Sequence, residues 1–324
     1  MAQETMIGTD IHQAAALLRD DHLVAIPTET VYGLAGNALS PEAVLGIFRA
    51  KNRPRFNPLI VHTDRLEKLR PALQALPPLA EELAAQFWPG PLTLLLPRTA
   101  AIPDLVTAGH PRVAVRIPDH PLAQALLAEL DFPLAAPSAN PFGYISPTTA
   151  QHVAAQLGER VAYILDGGPT RVGIESTIVG FEPDGSLRLY RVGGTPVEDL
   201  ERLTGPLERA GQGRENPQAS GMLKSHYAPD TPLVLGDIEA LAGRYAGQRL
   251  GLLTWQRGYP ELHAQQVEVL SPQGDLGQAA QRLFAALRQL DASGVEVILA
   301  ERVPERGLGR AINDRLQRAE AERK

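Results

Sequence analysis

The sequence contains no cysteine, which excludes disulfides and thiolate metal sites outright. It has no basic excess either: 31 Lys and Arg stand against 37 Asp and Glu, a formal net charge of -6. Proteins that coat duplex nucleic acid usually carry surplus cations, so this balance argues against that class and leaves only a local basic patch open. No apolar run approaches the roughly 20 residues that a membrane-spanning helix needs. Met1 to Asp10 offers neither the basic start nor the apolar stretch of a signal peptide, so a soluble, cytoplasmic protein is expected. Common catalytic signatures are missing too. Neither G-x-x-x-x-G-K-[ST] nor G-x-G-x-x-G occurs, and Gly211-Gln212-Gly213 fails at the third glycine. The histidines never fall at H-E-x-x-H spacing, and there is no G-x-S-x-G elbow.

What is present begins with length. A chain of 324 residues, 44% hydrophobic, can bury a sizeable core and is comfortable as two domains. Leu23 to Ile26 reads as a buried strand that stops at Pro27, which has no N–H to donate. Thr28, Glu29, Thr30 and Tyr32 then crowd hydroxyls and a carboxylate into five positions, and Gly33 gives the backbone freedom to turn away. Open α/β sheets place ligands at such strand ends, although an ordinary turn would look the same.

Further along, Asp10 and Ser40 are fitting caps for helices starting at Ile11 and Pro41. The second helix runs into Arg49-Ala50-Lys51-Asn52-Arg53-Pro54-Arg55, four cations in seven positions, expected as a fixed and partly exposed loop. Such a run is either a solvated loop or a clamp for a polyanion such as phosphate. Strands are expected over Leu59–Val61, Leu92–Leu96, Arg112–Ile117, Phe132–Ala136, Val161–Leu165, Ile178–Val179 and Leu187–Arg191. Arg116, inside one of them, is an edge-facing charge or a carboxylate binder. Short strands with helices between them predict an α/β fold with a mixed sheet. Beyond a Gly-rich linker a second α/β pattern follows. A catalytic domain over 9–195, a linker over 196–230 and a smaller Rossmann-like C-terminal α/β domain over 231–324 are expected.

Several stretches together resemble one family. They are Pro27 to Leu34, Lys51-Asn52-Arg53 with Asn57 to His62, Trp88 to Thr93, Val113 to Arg116, Ala135 to Asn140 and Glu175-Ser176-Thr177. They look like a YrdC-type threonylcarbamoyl-adenylate synthase. Gly221-Met222 through His226-Tyr227-Ala228-Pro229 and the second α/β region resemble its two-domain members. The resemblance implies a nucleotidyltransferase that turns L-threonine, bicarbonate and ATP into L-threonylcarbamoyl-AMP and diphosphate, with Mg2+ serving the phosphates. The product would pass to a separate transferase complex that modifies tRNA beside the anticodon, so direct tRNA binding by this chain would be weak or absent.

Carried over residue by residue, the resemblance implies an ATP site of Lys51, Arg53, Asn57, Ser138, Ser146, Arg191 and Tyr227, with Arg112 contributing its backbone. It implies a threonine pocket of Thr30, His62, Arg116, Ala136 and Ser176. Lys51, Arg53 and His62 would be catalytic, His62 either as general base or as a hydrogen-bond partner of substrate. Tyr227 would fold over the nucleotide, making the linker a lid. One departure stands out: two-domain members commonly read Pro-Gly-Met where this chain has Ser220-Gly221-Met222, which is expected to loosen the start of the lid. Acylphosphatase-like and zinc-finger regions mark the related hydrogenase-maturation carbamoyl transferases, and a chain without cysteine cannot build the latter.

Overall fold

Short strands, cut by proline and by polar clusters, build two separate sheets. The protein is described from a computed structural model over residues 6–74, 76–182, 184–211, 217–223 and 226–321. Two structural units result. The first takes residues 1–142, 147–171 and 175–223, the second 143–146, 172–174 and 224–324.

The first unit holds β1 (Met6–Gly8), β2 (Val24–Ile26), β3 (Gly33–Asn37), β4 (Ile60–His62), β5 (Leu92–Pro97) and β6 (Arg112–Arg116). It continues with β7 (Leu134–Ala135), β8 (Tyr163–Leu165), β9 (Thr177–Phe181), β10 (Leu187–Arg191) and β11 (Glu208–Arg209). They form one mixed sheet in the order β1-β8-β2-β3-β7-β4-β6-β5-β9-β10-β11. The second unit holds β12 (Leu233–Leu235), β13 (Leu250–Thr254), β14 (Gln266–Val269) and β15 (Val297–Ala300) in the order β12-β15-β13-β14. All its pairings are parallel, with helices such as Leu276–Ala292 between strands, as a Rossmann-like region requires.

Capping follows the sequence closely. The Asp10 side chain accepts from the backbone N–H of His12 and Gln13, and Ser40 accepts from Ala43 N–H at the start of helix Pro41–Lys51. Two expectations change. Gly33 does not merely turn the chain away; it begins β3, which pairs antiparallel with β2 through Ile26 and Gly33. Residues 27–32 are therefore the bend joining two adjacent strands. Gly33 serves close packing there, since a Cβ would lie 3.2 Å from that of Ala136. The basic stretch, for its part, is not all loop. The helix continues through Lys51 and stops at Asn52, whose φ of 51° is left-handed.

The core of the first unit includes Leu18, Val24, Ile26, Leu126, Leu134 and Tyr163. On the sheet, Ile60, Leu95, Ala114 and Ile178 carry Ala219 and Met222, so this later part of the linker packs against the strands that bear the predicted site.

Candidate active site

β4 and β6 run parallel and pair His62 with Arg116, so two predicted pocket residues end neighbouring strands. β5 runs antiparallel to β6. One residue beyond its Leu94–Val115 pair, Thr93 comes level with Arg116. β9 follows β5 in parallel, pairing Leu92 with Thr177, which brings Ser176 beside Thr93. The result is a row of buried polar side chains across the ends of four strands.

Arg116 is held from three directions. Its Nε donates to Gly90 O at 3.1 Å, its Nη1 donates to Thr30 Oγ1 at 2.9 Å, and its Nη2 lies 2.6 Å from Glu29 Oε1. The choice left by the sequence is thus resolved: Arg116 is not an edge charge but is buried beside a carboxylate. Across the row, Ser176 Oγ hydrogen-bonds Thr93 Oγ1 at 2.7 Å and accepts from Arg191 Nη2 at 3.0 Å. Arg191 Nε also donates to Ser176 O at 3.0 Å.

The basic segment supplies the next group. Arg53 is buried rather than exposed, because its guanidinium donates to Asn57 O, Asn57 Oδ1 and Pro58 O at 3.1, 2.8 and 2.9 Å. Asn57 is fully buried, and its Nδ2 has no hydrogen-bond partner among the described residues. An orphaned amide donor of that kind costs free energy unless a ligand takes it. Arg55, by contrast, is exposed. Lys51 is buried as well, donating to the carbonyls of Ser138 and Asn140. Among the described residues no carboxylate pairs with it. Burial, then the neighbouring Arg53 charge, holds its pKa well below the ordinary lysine value.

The segment 136–140 is pinned to this region. Ala136 N–H donates to Ile60 O at 3.0 Å, Leu34 N–H to Pro137 O at 2.7 Å, and Ala139 N–H to Tyr32 O at 2.8 Å. Ser138 also forms a bridge with Gly33. The predicted residues Thr30, Lys51, Arg53, Asn57, His62, Arg112, Arg116, Ala136, Ser138, Ser176 and Arg191 all belong to the first unit. Arg112 lies at the opposite end of β6. There its side chain donates to Phe181 O at 2.7 Å, to Tyr190 Oη at 2.8 Å and to Gln218 Oε1. It borders a pocket of about 480 Å³ with Pro97, Phe181, Glu182 and Gln218.

His62 is buried, and its Nδ1 sits 3.2 Å from Ile60 O. Burial, then the Arg116 charge, lowers its pKa to about 3. With Nδ1 donating to the carbonyl, the neutral ring offers Nε2 as an acceptor. So weak a base suits hydrogen bonding better than proton abstraction.

Ser146 and Tyr227 belong to the second unit. Tyr227 is buried there with its ring stacked on Phe284 at 5.6 Å, and the Arg315 guanidinium stands 5.1 Å from the ring centroid. Its φ of 65° is left-handed, an uncommon and strained state for tyrosine. Lys224 and Ser225 of the predicted lid, and Gly213 of the linker, lie outside the described residues. The expected loosening at Ser220 is not what the structure shows. Ser220 Oγ donates to Pro58 O at 2.6 Å and accepts from Arg53 Nη2 at 3.2 Å, while Ser220 O accepts from Arg191 Nη1 at 3.3 Å. The serine ties the linker down.

The sequence reading left Glu29, Thr93 and Ser220 out of the site. Glu29 carried a usable signal, since a carboxylate in a predicted buried strand end requires a cationic partner. Thr93 and Ser220 carried none.

Residues 16–193 match the Sua5/YciO/YrdC family model, described as telomere recombination, and 195–321 match the threonylcarbamoyl-AMP synthase C-terminal domain. The threonylcarbamoyl-AMP synthase of Bacillus subtilis is 43% identical over 320 residues, covering 95% of this chain and 92% of the relative. That of Pyrococcus abyssi is 41% identical over 325 residues, covering 95% and 93%. The crystal structure of P. abyssi Sua5 complexed with L-threonine superposes with a TM-score of 0.91 at 39% identity, covering 98% of this chain and 97% of that one. Both parts of the chain match in order, over 95% of its length, and the chain belongs to the threonylcarbamoyl-AMP synthase family, a family of nucleotidyltransferases.

Proposed function

We propose that the row of buried polar groups joins a threonine pocket to an ATP site, and that the chain makes L-threonylcarbamoyl-AMP from L-threonine, bicarbonate and ATP with release of diphosphate. The observation that carries this reading is the convergence of Arg116, Thr30, His62, Ser176 and Arg191 on adjacent strand ends. Arg116 takes the threonine carboxylate on its planar fork. Thr30, Ser176 and the backbone at Ala136 complete the pocket. His62 Nε2 accepts from the substrate ammonium or hydroxyl.

The chemistry gathers negative charge. The amine, once deprotonated, attacks carbon dioxide with loss of a second proton, or bicarbonate with loss of water, to give a carbamate, whose oxygen attacks the α-phosphorus as diphosphate leaves. Lys51, Arg53 and Arg191 offset that charge in a water-poor setting where fixed donors act most strongly. The Lys51 ammonium also braces the 138–140 backbone, so its hydrogen bonds divide between loop and phosphate. Asn57 Nδ2 and Ser138 donate to the nucleotide. The pocket beside Arg112 lies four residues along β6 from Arg116, about 13 Å away at strand spacing, in keeping with the reach from reacting phosphate to base.

Mg2+ would accompany the triphosphate and offset its charge; among the described residues no group of three or more His, Cys, Asp or Glu side chains is placed to hold a metal ion. The resemblance also assigns Ser146 and Tyr227 to the nucleotide, and the linker would be a lid over a labile product. The product passes to a tRNA threonylcarbamoyl transferase complex, in the cytoplasm. No helix among the described residues is long and apolar enough to cross a membrane.

Diphosphate release with threonine, bicarbonate and ATP tests the proposal. Release that ignores threonine would overturn it. Salt-sensitive binding of double-stranded RNA without turnover would instead favour an RNA-binding module built on residues 49–55.

A further inference from the structure

Glu29 is the one carboxylate the described residues place against Arg116, and the reaction proposed above gives it no part. It is 1% exposed. Its Oε2 accepts from Asp119 N–H at 3.0 Å, which fixes the carboxylate from behind, and its Oε1 faces Arg116 Nη2. The turn around it is stiff. Thr28 Oγ1 accepts from Thr30 N–H at 3.2 Å and from Val31 N–H at 3.3 Å, and it hydrogen-bonds Thr30 Oγ1 at 2.8 Å. Neighbours in sequence, Glu29 and Thr30, are thereby aimed at the same guanidinium.

The donors of Arg116 can be counted. Of its five N–H groups, Nε–H goes to Gly90 O and one Nη1–H to Thr30 Oγ1. Glu29 Oε1 stands 2.6 Å from Nη2 and occupies one side of that nitrogen. One hydrogen on each of Nη1 and Nη2 is left for a substrate carboxylate, which uses two in a bidentate pair.

We infer that Glu29 is a positioning residue for threonine: its buried carboxylate fixes the plane of the Arg116 guanidinium so that the free Nη edge meets the substrate carboxylate. The inference rests on the threonine pocket proposed above. Without this partner, only Gly90 O and Thr30 Oγ1 among the described residues would orient the buried arginine, and the fork would be free to tilt. Bidentate recognition depends on that plane. Among the described residues, Glu29 makes no hydrogen bond or ion pair with the ATP groups Arg53, Asn57 and Arg191, so their ligand should be spared.

Calorimetry and steady-state kinetics on the full chain test this with Glu29→Gln, which keeps size and removes charge, and Glu29→Asp, which keeps charge and shortens reach. Glu29→Gln should raise the threonine Kd and KM about tenfold or more, leave the ATP Kd within about twofold, and lower kcat far less than kcat/KM. Glu29→Asp should recover part of the threonine affinity. Unchanged threonine binding in a folded Glu29→Gln protein would overturn the inference. Equal losses for threonine and ATP would overturn it too, pointing to general damage. Tighter threonine binding would do the same, marking Glu29 as a competitor for Arg116. If the wild-type protein bound no threonine, the pocket itself and this inference would both fall, whereas the other outcomes leave the pocket standing.

Discussion

Arg53 and Ser220, far apart in sequence, share a hydrogen bond of 3.2 Å from Nη2 to Oγ, and the same serine donates to Pro58 O at 2.6 Å. Arg191 reaches Ser220 O from the other side at 3.3 Å. The linker is thus fastened to two of the arginines proposed to hold ATP. Replacing Ser220 by Ala removes two buried side-chain hydrogen bonds, each worth about 1 kcal/mol. The ATP Kd of Ser220→Ala should rise several-fold while threonine binding alone is preserved. Ser220→Pro also forfeits the hydroxyl and should fall in the same direction; calorimetry with ATP checks both, and an unchanged Kd would detach the serine from the nucleotide site.

Arg116 makes a second prediction. Lysine at this position keeps a positive charge for Glu29 but cannot reach Gly90 O, Thr30 Oγ1 and a carboxylate together. Arg116→Lys should therefore weaken threonine by about 2–3 kcal/mol, roughly 30- to 150-fold, with ATP affinity changed little. Arg116→Ala should do more harm, because it strands Glu29 in the interior, where breaking a buried pair costs about 3–5 kcal/mol of stability. Separate titrations with each substrate and a denaturation curve distinguish the two effects.

How much of this was legible beforehand differs residue by residue. Arg116 could be read as a strand residue, and its neighbours Val113 and Val115 marked a buried element. That Glu29 is its partner could not be read, because strand pairing across β2, β3, β7, β4 and β6 brings them together. The basic segment is partly exposed as expected, with Arg49 and Arg55 outside, but which cations turn inward was not legible. Helix Pro41–Lys51 continues far enough to turn Lys51 inward, and Arg53 finds carbonyl acceptors just downstream at Asn57 and Pro58. In the second unit β14 escaped notice, since Gln266 and Glu268 dilute the apolar pattern of a strand. Ser220 looked like the loss of a rigid residue; only the tertiary contacts reveal the bonds it gains.

His62 predicts how the fold responds to acid. Its folded pKa of about 3 lies below the ordinary 6.5, so the folded state prefers the neutral ring. Below about 6.5 the unfolded chain takes up a proton that the folded chain refuses. This stabilisation is complete above pH 6.5 and is lost as pH falls toward 3, by up to about 1.4 kcal/mol per unit. Between pH 7 and pH 4.5, wild-type stability should drop by about 2 kcal/mol more than that of His62→Gln. Chemical denaturation of both proteins at the two pH values measures the difference, and parallel losses would place the acid sensitivity elsewhere.

Gly193 predicts what happens when the serine of the row is pushed. A Cβ there would collide with the carbonyl of Glu175 and the backbone of Ser176. Next to it, Gly194 N–H donates to Glu175 O at 2.9 Å, so this segment lies directly against the strand end. Backbone gives way less readily than the tip of a side chain, and with the nearest contact at 2.3 Å the 175–176 segment would have to move by about an ångström. Such a shift would lengthen the hydrogen bonds from Ser176 to Thr93 and Arg191, which begin at 2.7 and 3.0 Å. Because Ser176 stands between the proposed threonine pocket and Arg191, Gly193→Ala should impair both substrates together, unlike the selective losses at Glu29 and Arg116. A fall in kcat/KM of about 100-fold or more for each substrate is expected, since displacing a positioned group by an ångström carries that cost. If Gly193→Ala instead spared threonine while losing ATP, Ser176 would belong to the nucleotide side alone.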